Sequence, residues 1–217
     1  YIGASILFIF FLGLLLVKNI NMNWIIPSII VSLILSWGKN FEILTNLMIS
    51  YFPFYDKFRA VSSIQVILEF CIPFLAVYGL YKFFSKNIDN EKKIKALYIL
   101  TAVLSFFILI IYFFGNNLFE FKSNFEIFSQ YPDILNLLIE DRKAVLKSDA
   151  IRSLIIILVL FVILLSYLKN ILNKNLAIYG IIFIVLIDLW SVNKQYVNAD
   201  QFVTKSNLKV PFQITNA

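Results

Sequence analysis

"ALYILTAVLSFFILIIYFF", residues 96–114, contains no charged residue, no Pro and no Gly. A helix crossing the ~30 Å hydrocarbon core of a bilayer needs about 20 mostly apolar residues, so this run reads as a transmembrane span. Four others come near that length: Ile2 to Val17, Ile64 to Tyr81, Leu154 to Leu168 and Leu176 to Trp190. A sixth, Trp24 to Trp37, is short. It has Trp at both ends, where interfacial aromatics belong, and Pro27 close enough to its start to fit a first helical turn. The spacing therefore predicts an all-α membrane protein of about six transmembrane helices, with residues 1–190 as the bundle and 191–217 as an extracytoplasmic extension leading to a further domain.

The composition agrees. Of 217 residues, 60% are hydrophobic and only 15% charged, and the mean hydropathy is +0.84, above what a soluble core needs. The chain has one Cys and no His. An internal disulfide is excluded, and the commonest general base and zinc ligand are missing. Chemistry must rest on carboxylates, Lys, Arg, Tyr or amides; no metal site or cofactor motif is identified. The net charge of +6 is spread through loops between apolar runs, which suits anionic lipid and not a nucleic-acid groove. Tyr1 already lies within an apolar run, with neither Met nor a basic stretch before it. The chain is expected to be an internal piece of a longer polypeptide, with the remainder of that polypeptide as its first partner.

Charge orients the spans. The short loops 18–23, 82–95 and 169–175 carry Lys18; Lys82, Lys86, Lys92, Lys93 and Lys95; and Lys169 and Lys174. Positive-inside reasoning makes them cytoplasmic, which leaves loops 38–62 and 115–150 and the tail on the outer face. Within the first long loop, Phe41, Leu44, Met48 and Tyr51 recur at helical spacing opposite Glu42, Asn46 and Ser50, until Pro53. That pattern predicts an amphipathic helix lying on the membrane surface. In the second, Asp133 is a plausible N-cap for another surface helix, with Ile134, Leu137 and Leu138 as its apolar stripe.

Candidate chemistry gathers at the outer face. Lys39 ends the second span, while Lys57 and Arg59 precede the third, so a loop between neighbouring helices brings three cations together where they could hold a phosphate at headgroup depth. The plainer reading is that they snorkel. In the third span Ser62, Gln65, Glu69 and Pro73 form a polar stripe, and a carboxylate within a span, here Glu69, is costly enough to suggest function or a buried ion pair. Asp188, near the outer end of the last span, could orient Arg59 or Lys39, or cap the following loop. Arg152 reads as an interface anchor.

The stretches "LSWGKNF", "YFPFYDKFRAVSS", "EFCIPFLA" and "DLWSVNKQYVNADQFV" with "PFQITNA", in this order, resemble the YfhO-like membrane proteins of Bacteroidetes. The resemblance covers essentially the whole chain. It implies a GT-C-like bundle fragment of a glycosyltransferase that moves a sugar from a polyprenyl-phosphate carrier to an extracytoplasmic acceptor, with the catalytic carboxylate in an early loop outside this chain. The positions carried over are Lys39 and Asn40 in the GKN stretch, Arg59 in FRA and Asp188 in DLW. Two alternatives stand beside it: a lipid-linked transporter or flippase, for which Glu69 is the argument, and a non-enzymatic membrane subunit of an envelope protein complex.

Overall fold

The computed structural model describes residues 1–17, 24–52, 61–122 and 132–197, with backbone alone for Lys39, Asn40, Val61, Ser62, Pro132, Gln195 and Tyr196. Among the described residues there are seven α-helices and no strand: α1 (Ala4–Leu16), α2 (Ile25–Ser36), α3 (Glu42–Tyr51), α4 (Gln65–Phe84), α5 (Asn90–Leu118), α6 (Pro132–Leu168) and α7 (Lys174–Tyr196). Short 3-10 turns, Gly38–Phe41 and Val61–Ile64, lie before α3 and α4.

Four helices, α4 to α7, are long and apolar enough to cross a membrane. Their outward faces carry large apolar side chains that no described residue covers, such as Phe113 at 69% and Phe183 at 62% exposure. Such faces are tolerable in lipid and ruinous in water. By contrast α1 and α2, at 13 and 12 residues, rise only about 20 and 18 Å at 1.5 Å per residue. Four of the six expected spans therefore meet the length; these two are shorter.

Short as it is, α1 is the hub. It packs against α4, α5, α6 and α7, with Ser5, Phe8 and Leu12 almost wholly buried. Lipid tails are as apolar as Leu, so helices associate in a membrane through close packing, which small residues permit. The α1–α4 crossing shows this: a Cβ built on Gly79 would stand 2.5 Å from the Gly13 Cα, and one on Gly13 would stand 2.9 Å from the Gly79 Cα. The two backbones touch because neither residue has a side chain.

The helix expected after residue 41 is present as α3, whose residues are nowhere fully buried. It stops at Tyr51, just before Phe52, whose backbone the following Pro53 would bias toward extended conformations. The second expected surface helix differs from the reading. It is not separate from the fifth span: both belong to α6, a continuous helix of 37 residues, about 55 Å long. After Pro132 the sequence has no Gly or Pro until the helix ends, and "LLIEDRKAVLK" is rich in strong helix formers, so nothing breaks it. Asp133 lies in its first turn. At the other end α7 runs to Tyr196, past the boundary expected at residue 190.

Two turns close one end of the bundle. After α6, Asn170 takes a left-handed conformation at φ 59° and the Ile171 amide returns to the Ser166 carbonyl at 2.9 Å, satisfying the helix terminus. Asn173 then caps α7 by accepting from the Leu176 amide at 2.8 Å. Between α4 and α5, the buried Lys93 donates to the Ser85 carbonyl at 2.7 Å. The two turns meet where Phe84 packs edge-on against Tyr167, 4.7 Å between centroids. Lys82, Lys86, Lys92, Lys93, Lys95, Lys169 and Lys174 collect at this end, against Asp89 and Glu91.

Candidate functional site

At the opposite end the starts of α1 and α4 meet the middle of α6 and the C-terminal half of α7. Gly3 sits at φ 92°, a conformation that disfavours any side chain, and a Cβ there would stand 2.9 Å from the Asp188 carboxylate. That closeness lets Asp188 of α7 serve as the cap that Gly3 cannot supply. Its Oδ2 accepts from the Ser5 amide at 2.9 Å and from the Ser5 hydroxyl at 2.7 Å, and Asp188 is wholly buried. A negative group on exposed amides at a helix N-terminus is favourable.

A relay runs outward from this cap. Tyr1 donates its hydroxyl to Asp188 Oδ1 at 3.1 Å, and Arg152 donates to the Tyr1 oxygen at 3.0 Å. The guanidinium also reaches Ser191 Oγ at 3.4 Å and pairs with Asp149 one helical turn earlier at 3.4 Å. It lies 5.7 Å from the centroid of the Tyr1 ring. Its Nε is buried without a partner among the described residues. Burial, and then the Asp188 carboxylate, push the Tyr1 phenol above its ordinary value against the pull of Arg152. Tyr1 therefore stays protonated and able to donate.

Beside the relay is a cleft of about 480 Å³. Tyr1, Gln65, Glu69, Asp149 and Arg152 line its polar part, with Leu7, Leu33 and Leu68 among its apolar walls. Glu69 is half-exposed there, its Oε1 3.5 Å from the Tyr1 main-chain nitrogen. Pro73 one turn later lacks the amide hydrogen that would otherwise bond the Glu69 carbonyl.

The structure thus brings Gln65 and Glu69 of the polar stripe into one cleft, with Asp188 behind it. Lys57 and Arg59 lie outside the described residues, as do the side chains of Lys39, Asn40 and Ser62. The backbone settles one related point. The Gly38–Phe41 and Val61–Ile64 turns both pack on α2, and Ser32 of α2 donates to the Ile64 carbonyl at 2.6 Å. Both ends of the 38–62 loop therefore lie beside α2, close to the cleft wall formed by Leu33 and Gln65.

Sequence reading took Arg152 for an anchor and passed over Tyr1, Ser5 and Asp149. A usable signal existed in "SDAIRS", where Asp149 and Arg152 stand three apart on a helix and so share a face. Nothing in the sequence pairs Ser5 with Asp188 across nearly the whole chain. No family model matches this chain, and neither a curated protein nor a solved structure does.

Proposed function

We propose that the chain is the later membrane bundle of a GT-C-like glycosyltransferase and that the cleft beside Glu69 receives the headgroup of a polyprenyl-phosphate-linked sugar. The observation that carries this reading is the lining of the cleft: two accessible carboxylates, an amide and a guanidinium above apolar walls, at one end of a membrane bundle. Glu69, Asp149 and Gln65 suit hydroxyl donors, as a sugar presents. Arg152 supplies a cation, but the described charges of the cleft lean acidic. A phosphate there would draw on Lys39, Lys57 and Arg59, which belong to the 38–62 segment, whose ends lie in the two turns that pack on α2. Bound phosphate leaves as the sugar bond breaks and the acceptor hydroxyl attacks; cations stabilise the charge gathering on that leaving group. The base that takes the acceptor proton comes from outside this chain.

In this reading α1 and α2 complete a bundle of six crossings, with α1 shielded by α4 to α7. The lysine-rich turns face the cytoplasm of a bacterial inner membrane and the cleft opens outside. Kinship with the YfhO-like proteins rests on the sequence stretches quoted above. A transporter draws its support from Glu69 and Pro73 in α4.

The test is ligand binding by the full chain in lipid nanodiscs. Arg59→Glu should weaken polyprenyl phosphate about tenfold or more, the worth of one charge-assisted contact. Glu69→Gln should weaken only the sugar-bearing form. Unchanged binding in the first variant removes the phosphate site, and equal losses for both ligands in the second remove the sugar-binding role. Proton-coupled flux in vesicles, abolished by Glu69→Gln, would favour the transporter.

A further inference from the structure

A second cleft lies at the lysine-rich end and takes no part in the reading above. It measures about 540 Å³ and lies between the last turn of α1 and the first turns of α5. Leu15 and Leu16 form one wall, and Ala96 and Ile99 are apolar positions on the other. Lys92 and Lys95 stand at its rim. On α5 the residues 92, 95, 96 and 99 fall three or four apart, so they make one continuous stripe, charged at the helix start and apolar one turn deeper.

The two lysines are not equivalent. Lys92 is held by Asp89 at 2.8 Å, whereas Lys95 makes no ion pair among the described residues. Two ammonium groups against one carboxylate leave the rim positive, on an end of the bundle that is already basic. An inorganic anion would be served by the rim alone and has no use for an apolar floor. The molecule that needs both is an amphiphile with a negative head.

We propose that this cleft holds one anionic phospholipid of the surrounding bilayer, its phosphate at Lys95 and Lys92 and an acyl chain along Leu15, Leu16, Ala96 and Ile99. The match is one of charge and depth. Lysines beside a membrane attract anionic headgroups, and the chain continues into a groove that is apolar over the first turn of the span. An acyl chain there would pack the gap between α1 and α5 and so steady the hub helix.

The experiment uses the full chain in phosphatidylcholine nanodiscs containing increasing phosphatidylglycerol, reading retained phosphatidylglycerol by native mass spectrometry together with the unfolding midpoint. Retention and a rising midpoint are expected. Lys92→Gln with Lys95→Gln should reduce retention about fivefold per lysine, and Ile99→Trp, which fills the groove and keeps the charges, should reduce it as well. Lys169→Gln with Lys174→Gln, at the same end but outside the cleft, should leave retention unchanged. An equal loss in that control pair, or full retention in Ile99→Trp, overturns the proposal in favour of diffuse attraction to a basic surface. A midpoint raised as far by inorganic phosphate alone overturns it in favour of a free anion.

Discussion

Asp188 and Ser5, separated by 183 positions, form the shortest polar tie between α7 and α1. The carboxylate takes both the amide and the hydroxyl of Ser5, so one buried side chain fixes the N-terminus of the hub helix. Asp188→Ala leaves those donors unsatisfied and should cost about 1–3 kcal/mol, seen as a lower unfolding midpoint in detergent. Ser5→Ala removes one donor only and should cost about 1 kcal/mol. In the double variant the losses should fall short of additive, because both break the same contact. Full additivity would show that Asp188 and Ser5 act independently.

Gly13 and Gly79 predict the sharpest packing effect. Backbone meets backbone there, so an added side chain has no flexible neighbour to push aside. Gly79→Val should separate α1 from α4 and destabilise by about 1–3 kcal/mol or more. Gly180→Ala is the control, since the nearest atoms to its Cβ all belong to the flexible Ile163 side chain, the tip at 3.3 Å. Thermal unfolding of the two variants in the same detergent distinguishes them: comparable midpoints would mean that the crossing is loose.

The pH response of Tyr1 follows from its surroundings. Its phenol is shifted upward in the folded protein, so what it contributes is complete below the ordinary tyrosine range and is lost as pH rises through the higher folded value. The stability difference between the native chain and Tyr1→Phe should therefore be flat through neutral pH and shrink only in strong alkali. Difference absorbance of the two proteins isolates this one phenol from the 11 tyrosines present. A step in the stability difference near pH 7 would falsify the assignment.

Four of the six expected spans were legible because lipid imposes a length and a composition, and 96–114 satisfies both in one dimension. The extent of α6 was not, because a surface helix and a span look like two signals when hydropathy is read alone; what joins them is the lack of any breaker between Asp133 and Leu168. The site divided along the same line. Glu69 and Gln65 were found because a polar stripe on an apolar helix is a local pattern. Its closure by Tyr1, Asp149 and Arg152 depends on α1, α4 and α6 converging, and that is set by contacts such as Gly13–Gly79 which carry no sequence spacing. The Asp188–Ser5 cap is the extreme case, since each residue alone is an ordinary polar interruption of a span.

Sidedness gives the last prediction, and the buried Cys71 makes it clean once replaced by Ser. Single cysteines at Asn87 and Ile171 lie on the two turns joined through Phe84 and Tyr167, so a membrane-impermeant maleimide must treat them alike. In the proposed orientation the lysines gathered there lie on the cytoplasmic side, so both positions should label only after permeabilisation, while a cysteine at Glu140 should label in intact cells. Labelling of both turns in intact cells would reverse the orientation and move the Glu69 cleft to the cytoplasmic side, where an extracytoplasmic acceptor cannot reach it. Opposite behaviour at 87 and 171 would break the pairing itself, since an odd number of crossings would then separate turns that touch in the folded chain.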